Sequence, residues 1–489
     1  MRSSSPLCYC NSPISRHFRL LLALTAGLAA AFTTGCGGSS SSTSTVTGYT
    51  PVTVLATSTG NDQMTMFHVS LNSLALTSQS GKTVTVFSTP QYTPQSAEYM
   101  HLNGSVAPLT TVSIPQDTYT SASATIEQAY AMCAGVEPTG GLLINGGFYG
   151  ATTVTVNVPG PIAIAGDSMG LALDLQVAPS LVLPTCVTTV SDTPPIMPVF
   201  NLRPVTIAAQ PTNSSNGMAI GLHGLIDTVS ASGASFSLTA ADGPVWEVSA
   251  SGSTVFQGVT GASQLAAGMP VDMDAAIQSN GSLLATRVAV YDTNPSDLSV
   301  SIGPLLNSYS PTTRLDELIV ESQGLIPLNQ TNSFTYSNTV FQISGQLSNV
   351  QSLPFTASFN AANMVPGQNV LTSNHAPTLP SQYFPLTTMT LLPQTINGTV
   401  SGVSSSGSFT TYTVALAPYD LFTILPVQPG ETTTLTNPGS VVVYVDSNTQ
   451  LLNPGSIAVG SMLRFNGLVF NDNGTLRMDC AQINDGVEE

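Results

Sequence analysis

Positive charge is scarce in this chain. The sequence holds 9 lysine and arginine residues against 26 aspartate and glutamate residues, and Lys82 is its one lysine. A surface with this balance repels nucleic acid and anionic lipid headgroups, so we expect neither as a ligand. The shortage of lysine also excludes most Schiff-base chemistry and phosphate-cradling Walker loops, unless Lys82 itself supplies them.

Long apolar runs are also missing, except close to the N terminus. There, Arg2, Arg16 and Arg19 precede about a dozen apolar positions and then small residues ending at Cys36, which is the order of an export signal. The apolar run is too short to span a hydrocarbon core of ~30 Å as a permanent helix, so we expect residues 1–35 to be removed. Removal leaves six basic residues against 26 acidic ones, a net charge of −20.

The residues before Cys36 resemble the lipobox of bacterial lipoproteins, with Thr33 where that family usually has leucine. The resemblance implies that the Cys36 thiol is diacylated and that Cys36 becomes the new N terminus. It places the protein in the cell envelope, tethered by lipid to a membrane, most simply the outer membrane. Ordinary secretion and an uncleaved anchor are the alternatives.

Few cysteines remain once the signal is removed. Cys133, Cys186 and Cys480 follow Cys36, and three thiols in an oxidising compartment allow one disulfide and one leftover. We predict that Cys133 pairs with Cys186, because both fall in one candidate domain. Cys480 is then expected to be a buried core thiol.

Period-two alternation of apolar and polar residues dominates the chain after Cys36. It predicts strands over 65–71, 82–87 and 152–158. Frequent proline and glycine between such segments are typical of sandwiches and small barrels, so the expected fold class is all-β. The main exception that we predict is a short helix near 122–132.

The second half of the chain contains an internal repeat. Residues 221–292 and 396–485 share, in the same order, a Ser-Gly turn, an Ala-x-Gly loop and an Asn-Gly pair that we interpret as a type I′ turn. A degenerate third copy lies between them, and about five strands per copy suit an OB-like barrel. The predicted division is signal peptide 1–35, tether 36–49, β-sandwich domain 50–208, and barrel repeats 217–295, 296–395 and 396–489.

The repeat copies look like an uncharacterised small β-barrel module that occurs, often in tandem, in bacterial envelope lipoproteins. Three segments before them, 66–76, the proline-containing turn 113–119 and a closing strand 173–181, carry a second resemblance. They make residues 50–200 similar to an uncharacterised β-sandwich domain that follows lipoprotein signals. Neither family brings a known activity, so the resemblance implies architecture and location only.

One catalytic pattern occurs in the sequence. Residues 166–170 fit the G-x-S-x-G signature of serine hydrolases, and His101 and Asp117 could complete a triad with Ser168. That signature requires a strand, a sharp turn and then a helix, whereas the residues after Ser168 alternate as a strand. We therefore interpret the pentapeptide as a hairpin turn.

Metal-ligating residue types are present without a ligand pattern. Asp272 with Asp274, and the segment 471–474, offer hard oxygen ligands suited to calcium. Residues 271–275 alternate as a strand whose acidic face we expect in water, and neither segment opens a calcium loop, so no metal site is predicted. The four histidines after Cys36 are far apart in sequence: His68, His101, His223 and His375.

Trp246, the sole tryptophan, is expected in a core strand of the first barrel, with Glu247 beside it.

The sequence features described above together predict a lipid-anchored envelope protein that acts as a non-catalytic binding or scaffolding module, without a cofactor, for an unknown protein or glycan partner. A secreted serine hydrolase using Ser168 and a structural surface or adhesion component are the alternatives.

Overall fold

Strands account for almost all the regular structure in the part of the chain that this computed structural model describes. The predicted all-β class with small barrels is confirmed, and the N-terminal domain, predicted to be a β-sandwich, is one barrel-like sheet. Among the described residues, no helix is long and apolar enough to cross a membrane. The described residues are 48–59, 64–89, 95–100, 102, 104–133, 144–181, 196–240, 244–296, 298–309, 314–319, 321–323, 330–345, 347, 350–375, 383–417, 420–425, 435–452 and 455–484.

The N-terminal domain is one nearly closed, barrel-like sheet, called here the N-terminal sheet. Its strands are β1 Tyr49–Thr59, β2 Met64–Ser78, β3 Thr83–Ser88, β4 Gln95–Glu98, β5 Ala107–Pro115, β6 Asp117–Cys133, β7 Ile144–Asn157, β8 Ile162–Ile164, β9 Met169–Gln176 and β10 Val199–Val205. They follow the order β3-β2-β6-β7-β10-β9-β1-β5, with β4 paired to β2 and β8 paired to β6. A one-turn helix, α1 Val177–Ser180, follows β9.

The next six strands form a small barrel, the first ring, in which five strands close the ring and the sixth pairs with one of them. They are β11 Met218–Val229, β12 Ser235–Ala240, β13 Val245–Ser249, β14 Val255–Gln257, β15 Pro270–Ile277 and β16 Leu283–Val290. The order is β13-β12-β11-β15-β16-β14, and a parallel pairing of β13 with β16 closes the ring. The last ring repeats these pairings strand for strand. Its strands are β25 Gln394–Ser406, β26 Phe409–Leu416, β27 Ser440–Val445, β28 Gln450–Leu452, β29 Met462–Asp472 and β30 Thr475–Asn484, with a one-turn helix, α2 Leu421–Ile424, after β26.

The region between the two rings, the middle copy, uses the same scheme with two strands divided. Its strands are β17 Leu298–Tyr309, β18 Arg314–Ile319, β19 Glu321–Gln323, β20 Gln330–Thr335, β21 Val340–Ile343, β22 Asn369–His375, β23 Phe384–Pro385 and β24 Thr388–Leu391. The order is β21-β24-β22-β17-β18-β20-β23, with β19 on β17. The parallel partners β23 and β24 together occupy the place of β16 in the first ring.

A short hydrogen-bonded clasp recurs in all three copies and explains the glycine that the sequence repeats. In each copy a residue at a bulge of the first strand exchanges backbone hydrogen bonds with the loop before the antiparallel partner strand. The loop glycine has a positive φ, which favours glycine because a Cβ atom is disfavoured there. The clasped pairs are Ile226 with Gly268, Leu305 with Gly367, and Val400 with Gly460.

Two local predictions are wrong. The segment 122–132 is part of β6, not a helix. It is rich in alanine, which favours a helix, but it pairs with β2 on one side and β7 on the other, so sheet context overrides local propensity. The predicted strand 173–181 ends at Gln176, where the chain turns into α1.

The two Asn-Gly turns differ from each other. Asn473 and Gly474 both have positive φ, 51° and 88°, as the predicted type I′ turn requires. At the corresponding place in the first ring, Gly281 has a φ of 82° whereas Asn280 is not among the residues with positive φ. The type I′ prediction is therefore wrong for Asn280, and the loop Gln278–Ser282 is one residue longer, with Gly281 as its single left-handed residue.

Other local predictions are confirmed. The strands expected over 65–71, 82–87 and 152–158 lie within or overlap β2, β3 and β7. Within the turn 113–119, Tyr119 is buried and its hydroxyl donates to the carbonyl oxygen of Pro115 at 2.9 Å. Cys480 is a buried free thiol in β30.

The N-terminal sheet and the first ring share one hydrophobic core. Trp246 in β13 is buried, as predicted, and its indole N–H reaches across to the carbonyl oxygen of Pro108 in β5 at 2.8 Å. The tryptophan thus belongs to the contact between the two sheets as well as to the barrel core.

Candidate functional site

A central cavity is the candidate binding site among the described residues. It has a volume of about 440 Å³ and takes lining residues from every sheet of the fold, within the usual range of roughly 300–1,000 Å³ for small-molecule sites. Two lining residues from each of the four sheet regions, in chain order, are Glu98 and Ser105, His223 and Asp274, Ile302 and Asn369, and Asp479 and Gln482.

Hydrogen bonds between the sheets hold the walls of the cavity together. The hydroxyl of Ser105 donates to the carbonyl oxygen of Ile220 at 2.7 Å, which joins the N-terminal sheet to the first ring. The side-chain amide of Gln450 in the last ring donates to the carbonyl oxygen of Thr212 at 2.7 Å. Because these contacts link strands far apart in sequence, the cavity exists only in the assembled fold.

The charge of the lining is negative. Among the described lining residues there is no lysine, arginine, phenylalanine, tyrosine or tryptophan. Polar side chains of Asn, Gln and Thr and apolar side chains of Met, Ile, Leu and Pro make up most of the remaining surface. The acidic residues of the lining are Glu98, Asp274, Asp420, Asp446 and Asp479.

Two of these carboxylates are held by the protein itself. Glu98 is fully buried, and its Oε1 accepts hydrogen bonds from the backbone N–H groups of Phe67 at 2.7 Å and Met100 at 3.0 Å. Asp274 receives the Nε–H of Arg287 at 2.7 Å and the backbone N–H of Gly221 at 2.9 Å. Structural hydrogen bonds and an ion pair therefore account for both.

Asp479 differs from them. It is 4% exposed, and its Oδ2 is a buried oxygen without a hydrogen-bond partner in the described structure. Its neighbours Met478 and Cys480 belong to the core of the last ring, so strand alternation places Asp479 on the outer face, at the cavity. Burial raises the pKa of Asp479 to about 6, and the negative charge of Asp446 adds to that rise.

Asp420 is a second buried carboxyl at the cavity. Its Oδ1 accepts the backbone N–H of Phe422 at 2.8 Å and so caps α2. Burial raises the pKa of Asp420 to about 7, although the hydrogen bond from Phe422 opposes the rise. A carboxyl in this position is partly protonated near neutral pH.

We expect Asp420→Asn to remove part of the pH dependence of stability. The folded-state pKa lies above the ordinary value of 3.8, so the folded protein binds a proton that the unfolded chain lacks, and stability falls as pH rises from about 4 to about 7. Asparagine caps a helix equally well and carries no charge. Because a one-turn helix opens locally at modest cost, we expect a gain of about 2 kcal/mol at pH 8 and little change at pH 4.

Urea midpoints of the two proteins at pH 4 and pH 8 measure this difference. The control is Asp420→Ala, which loses the cap as well as the charge. Loss of the cap should lower its free energy of unfolding by about 1 kcal/mol relative to Asp420→Asn at either pH. Parallel pH profiles for the wild type and Asp420→Asn would contradict the assigned pKa.

The acidic pair of the first ring is a buried ion network, and the prediction that its acidic face lies in water is wrong. Asp272 is fully buried, and its Oδ2 accepts from the Nη2 of Arg287 at 2.8 Å and the hydroxyl of Tyr291 at 2.9 Å. The Tyr291 hydroxyl is also 3.2 Å from the Ser344 hydroxyl of the middle copy. Burial alone would raise the pKa of Asp272, but the charges of Arg287 and His223 hold it below its ordinary value.

This network explains why Asp272 and Asp274 do not form a calcium site. Their oxygens face a guanidinium group, which supplies the positive charge that a cation would supply. The second calcium candidate is occupied likewise, since Asp472 pairs with the Nε of Arg477 at 2.7 Å. Within the described residues, no three His, Cys, Asp or Glu side chains lie close enough together to hold a metal ion.

The candidate hydrolase residues are placed as follows. Ser168 directly precedes β9, so a strand and not a helix comes after it. Asp117 opens β6 and its Oδ1 accepts the N–H of Thr118, while His101 lies outside the described residues. The strand-turn-helix geometry of a nucleophile elbow is thus not formed at Ser168.

The remaining candidates lie apart or outside. His68 stacks on Tyr130 in the N-terminal sheet, and the His375 Nδ1 lies 2.8 Å from the carbonyl oxygen of Ser296 near the middle copy. Cys133 ends β6, whereas its predicted partner Cys186 and the predicted lipidation site Cys36 lie outside the described residues. The disulfide and the lipid anchor therefore stay predictions.

Comparison with known families gives one match. Residues 223–289 match a domain of unknown function, DUF5666, and this segment covers most of the first ring. No curated protein matches the chain.

Sequence reasoning missed the acidic residues of the last ring. Asp420, Asp446 and Asp479 carry no motif, and they are separated by other strands of the same barrel. One signal was available: Asp479 is an acidic residue between the apolar residues Met478 and Cys480 in β30.

Proposed function

We propose that this chain is a lipid-anchored protein of the cell envelope that binds a small polar ligand in its central cavity without transforming it. The cavity carries the proposal: about 440 Å³, lined from all four sheet regions, with buried carboxyl groups at its wall. The export signal and the lipobox resemblance around Cys36 support the location.

The way the cavity is built also supports binding. Some of its polar groups, such as Asn466, Asp479 and Gln482, sit on strands, and hydrogen bonds from Ser105 and Gln450 join its walls, so these groups are fixed before a ligand arrives. Preorganised polar groups spend little of the binding free energy on ordering. The tether of residues 36–49 suits this role, because it would hold the folded body clear of the membrane.

Thermal unfolding of the full chain with four probes tests the cavity. Spermidine represents amines, maltose sugars, triglycine peptides and glutamate anions. We expect at least one probe at millimolar concentration to raise the unfolding temperature, as selective binding to the folded state must. Ala481→Trp, which fills the cavity wall, should abolish the shift, whereas Ala163→Trp on the exposed strand β8 should preserve it.

Two outcomes would contradict the binding role of the cavity. The first is no shift with any of the four probes. The second is a shift that persists unchanged in Ala481→Trp, because the ligand would then occupy another place.

The anchor is tested separately by Cys36→Ala. A thiol is required for acylation, so we expect the variant to lose lipid and either to leave the membrane fraction or to accumulate with residues 1–35 uncleaved. Several acyl chains are needed for stable attachment, since a single chain binds only reversibly. Membrane fractionation with intact mass measurement distinguishes these cases, and membrane retention of Cys36→Ala at the wild-type mass would contradict lipidation.

A further inference from the structure

We propose that the central cavity binds an aliphatic polyamine and that the Asp479 carboxylate is the acceptor for one of its ammonium groups. The inference rests on the proposed function, because it names the ligand class of the same cavity. It is supported by a buried carboxylate oxygen without a partner in the described structure, a wall without compensating positive charge, and a lining that favours primary amines over other cations.

One oxygen of Asp479 is buried without a hydrogen-bond partner in the described structure. A carboxylate taken out of water without a hydrogen-bond partner is strongly destabilising, and proteins retain such groups chiefly where something binds them. Asp479 is 4% exposed and its Oδ2 has no partner in the described structure. Its place in the middle of β30 makes it part of a rigid wall, unlike an acidic residue on a surface loop.

The wall of the cavity is acidic. Asp446 lies close enough to Asp479 to raise its pKa, and Asp420 is a further buried carboxyl at the same cavity. The described lining holds no lysine or arginine that could neutralise them. The described arginines of the N-terminal sheet, the first ring and the last ring act on other acids: Arg287 on Asp272 and Asp274, Arg203 and Arg464 on Asp174, and Arg477 on Asp472. A cationic ligand is therefore the natural source of the missing charge.

The residue types of the lining favour a primary ammonium group over other cations. A dehydrated metal ion needs several ligands within one coordination sphere, and no such group occurs among the described residues. A quaternary ammonium ion is recognised by an aromatic cage, but the described lining has no Phe, Tyr or Trp. A primary ammonium group instead donates up to three hydrogen bonds, and carboxylate, amide and hydroxyl oxygens accept them.

The number of ammonium groups follows from the spread of the acids. Asp479 in β30 and Asp420 at the start of α2 are buried carboxyls on two separate elements that line the same cavity. A flexible diamine or triamine can place one ammonium group at each of them, which a single ammonium group does not. Methylene segments between the amines would pack against the apolar lining, which includes Met100, Ile220 and Pro304.

Isothermal titration of the full chain with spermidine tests the proposal. We expect spermidine to bind the wild type, and Asp479→Asn, which keeps the size and removes the charge, to weaken binding about tenfold or more, as loss of a charge-assisted hydrogen bond predicts. The control Asp167→Asn makes the same charge change on the exposed turn before β9 and should leave the affinity within about twofold.

A second measurement separates a binding role from a structural one. If Asp479 only served the fold, Asp479→Asn would lower the unfolding temperature; we expect the temperature without ligand to rise or stay unchanged, because an unpartnered buried charge is removed. Choline, which lacks N–H donors, should bind at least tenfold more weakly than spermidine.

The outcomes also separate this inference from the proposed function. Failure of spermidine to bind, while maltose or another probe shifts the wild type and not Ala481→Trp, overturns the polyamine and leaves the cavity as a binding site. Equal weakening by Asp479→Asn and Asp167→Asn overturns the role of Asp479, because it would reflect overall charge. Absence of binding by every probe overturns both.

Discussion

Arg287→Met should destabilise the protein by about 3–5 kcal/mol, because it leaves the buried carboxylate of Asp272 and the half-buried carboxylate of Asp274 without their counter-charge. Arg287 is buried and donates to Asp272 at 2.8 Å and to Asp274 at 2.7 Å. Methionine fills similar volume, so the loss reflects charge and hydrogen bonding more than a cavity. Urea unfolding at pH 7, monitored by the fluorescence of Trp246 in the same ring, measures the change.

The matched control is Arg203→Met. Arg203 also pairs with a carboxylate, Asp174, at 3.3 Å, but its side chain is 60% exposed. Because the guanidinium end of this pair lies in water and the buried Asp174 keeps the hydrogen bond from the Thr59 hydroxyl, this variant should lose only about 1 kcal/mol or less. The double variant Asp272→Asn with Arg287→Met should recover part of the loss, because one stranded charge is removed. Equal destabilisation by the two arginine substitutions would contradict the buried network.

Gly281→Val should destabilise the protein by about 3–5 kcal/mol through two separate effects. The φ of Gly281 is 82°, a left-handed conformation that a β-branched residue strongly disfavours. A Cβ atom at this position would also clash with the side chain of Thr111 in β5, so the loop or the Thr111 side chain would have to move. Thermal or urea unfolding of the full chain measures the sum.

Gly407→Val isolates the second effect. Gly407 has a φ of 62° in the hairpin between β25 and β26, and nothing lies within 4 Å of its Cβ position. This variant carries the backbone strain alone and should lose about 1–3 kcal/mol. If Gly281→Val and Gly407→Val proved equally destabilising, the contact of Gly281 with Thr111 would be absent in solution.

The repeat could be read from the sequence because its devices are local. Turn glycines such as Gly268 and Gly460 are required by positive φ at the clasp, so they recur wherever the clasp recurs. Strand alternation identified β2, β3 and β7 for the same reason: the period belongs to the segment itself. The helix predicted near 122–132 does not form, because the preference of its alanines for a helix is weak and its two neighbouring strands decide its conformation.

The buried charges could not be read from the sequence. The alternation of residues 271–275 correctly gives a strand, but which face is wet depends on Arg287, Tyr291 and the middle copy's Ser344, up to 72 residues away. The cavity is a stronger case of the same limit. Its wall includes Asp479 and Glu98, which only the assembled sheets place on the same cavity.

Spermidine bound in the cavity would place an amine at the Asp479 wall. A crystal structure of the chain grown with saturating spermidine shows whether it does. We expect continuous density for the amine inside the cavity, with an ammonium nitrogen about 2.7–2.9 Å from an oxygen of Asp479. A structure with spermidine bound only on the outer surface, or with no amine near Asp479, would contradict it.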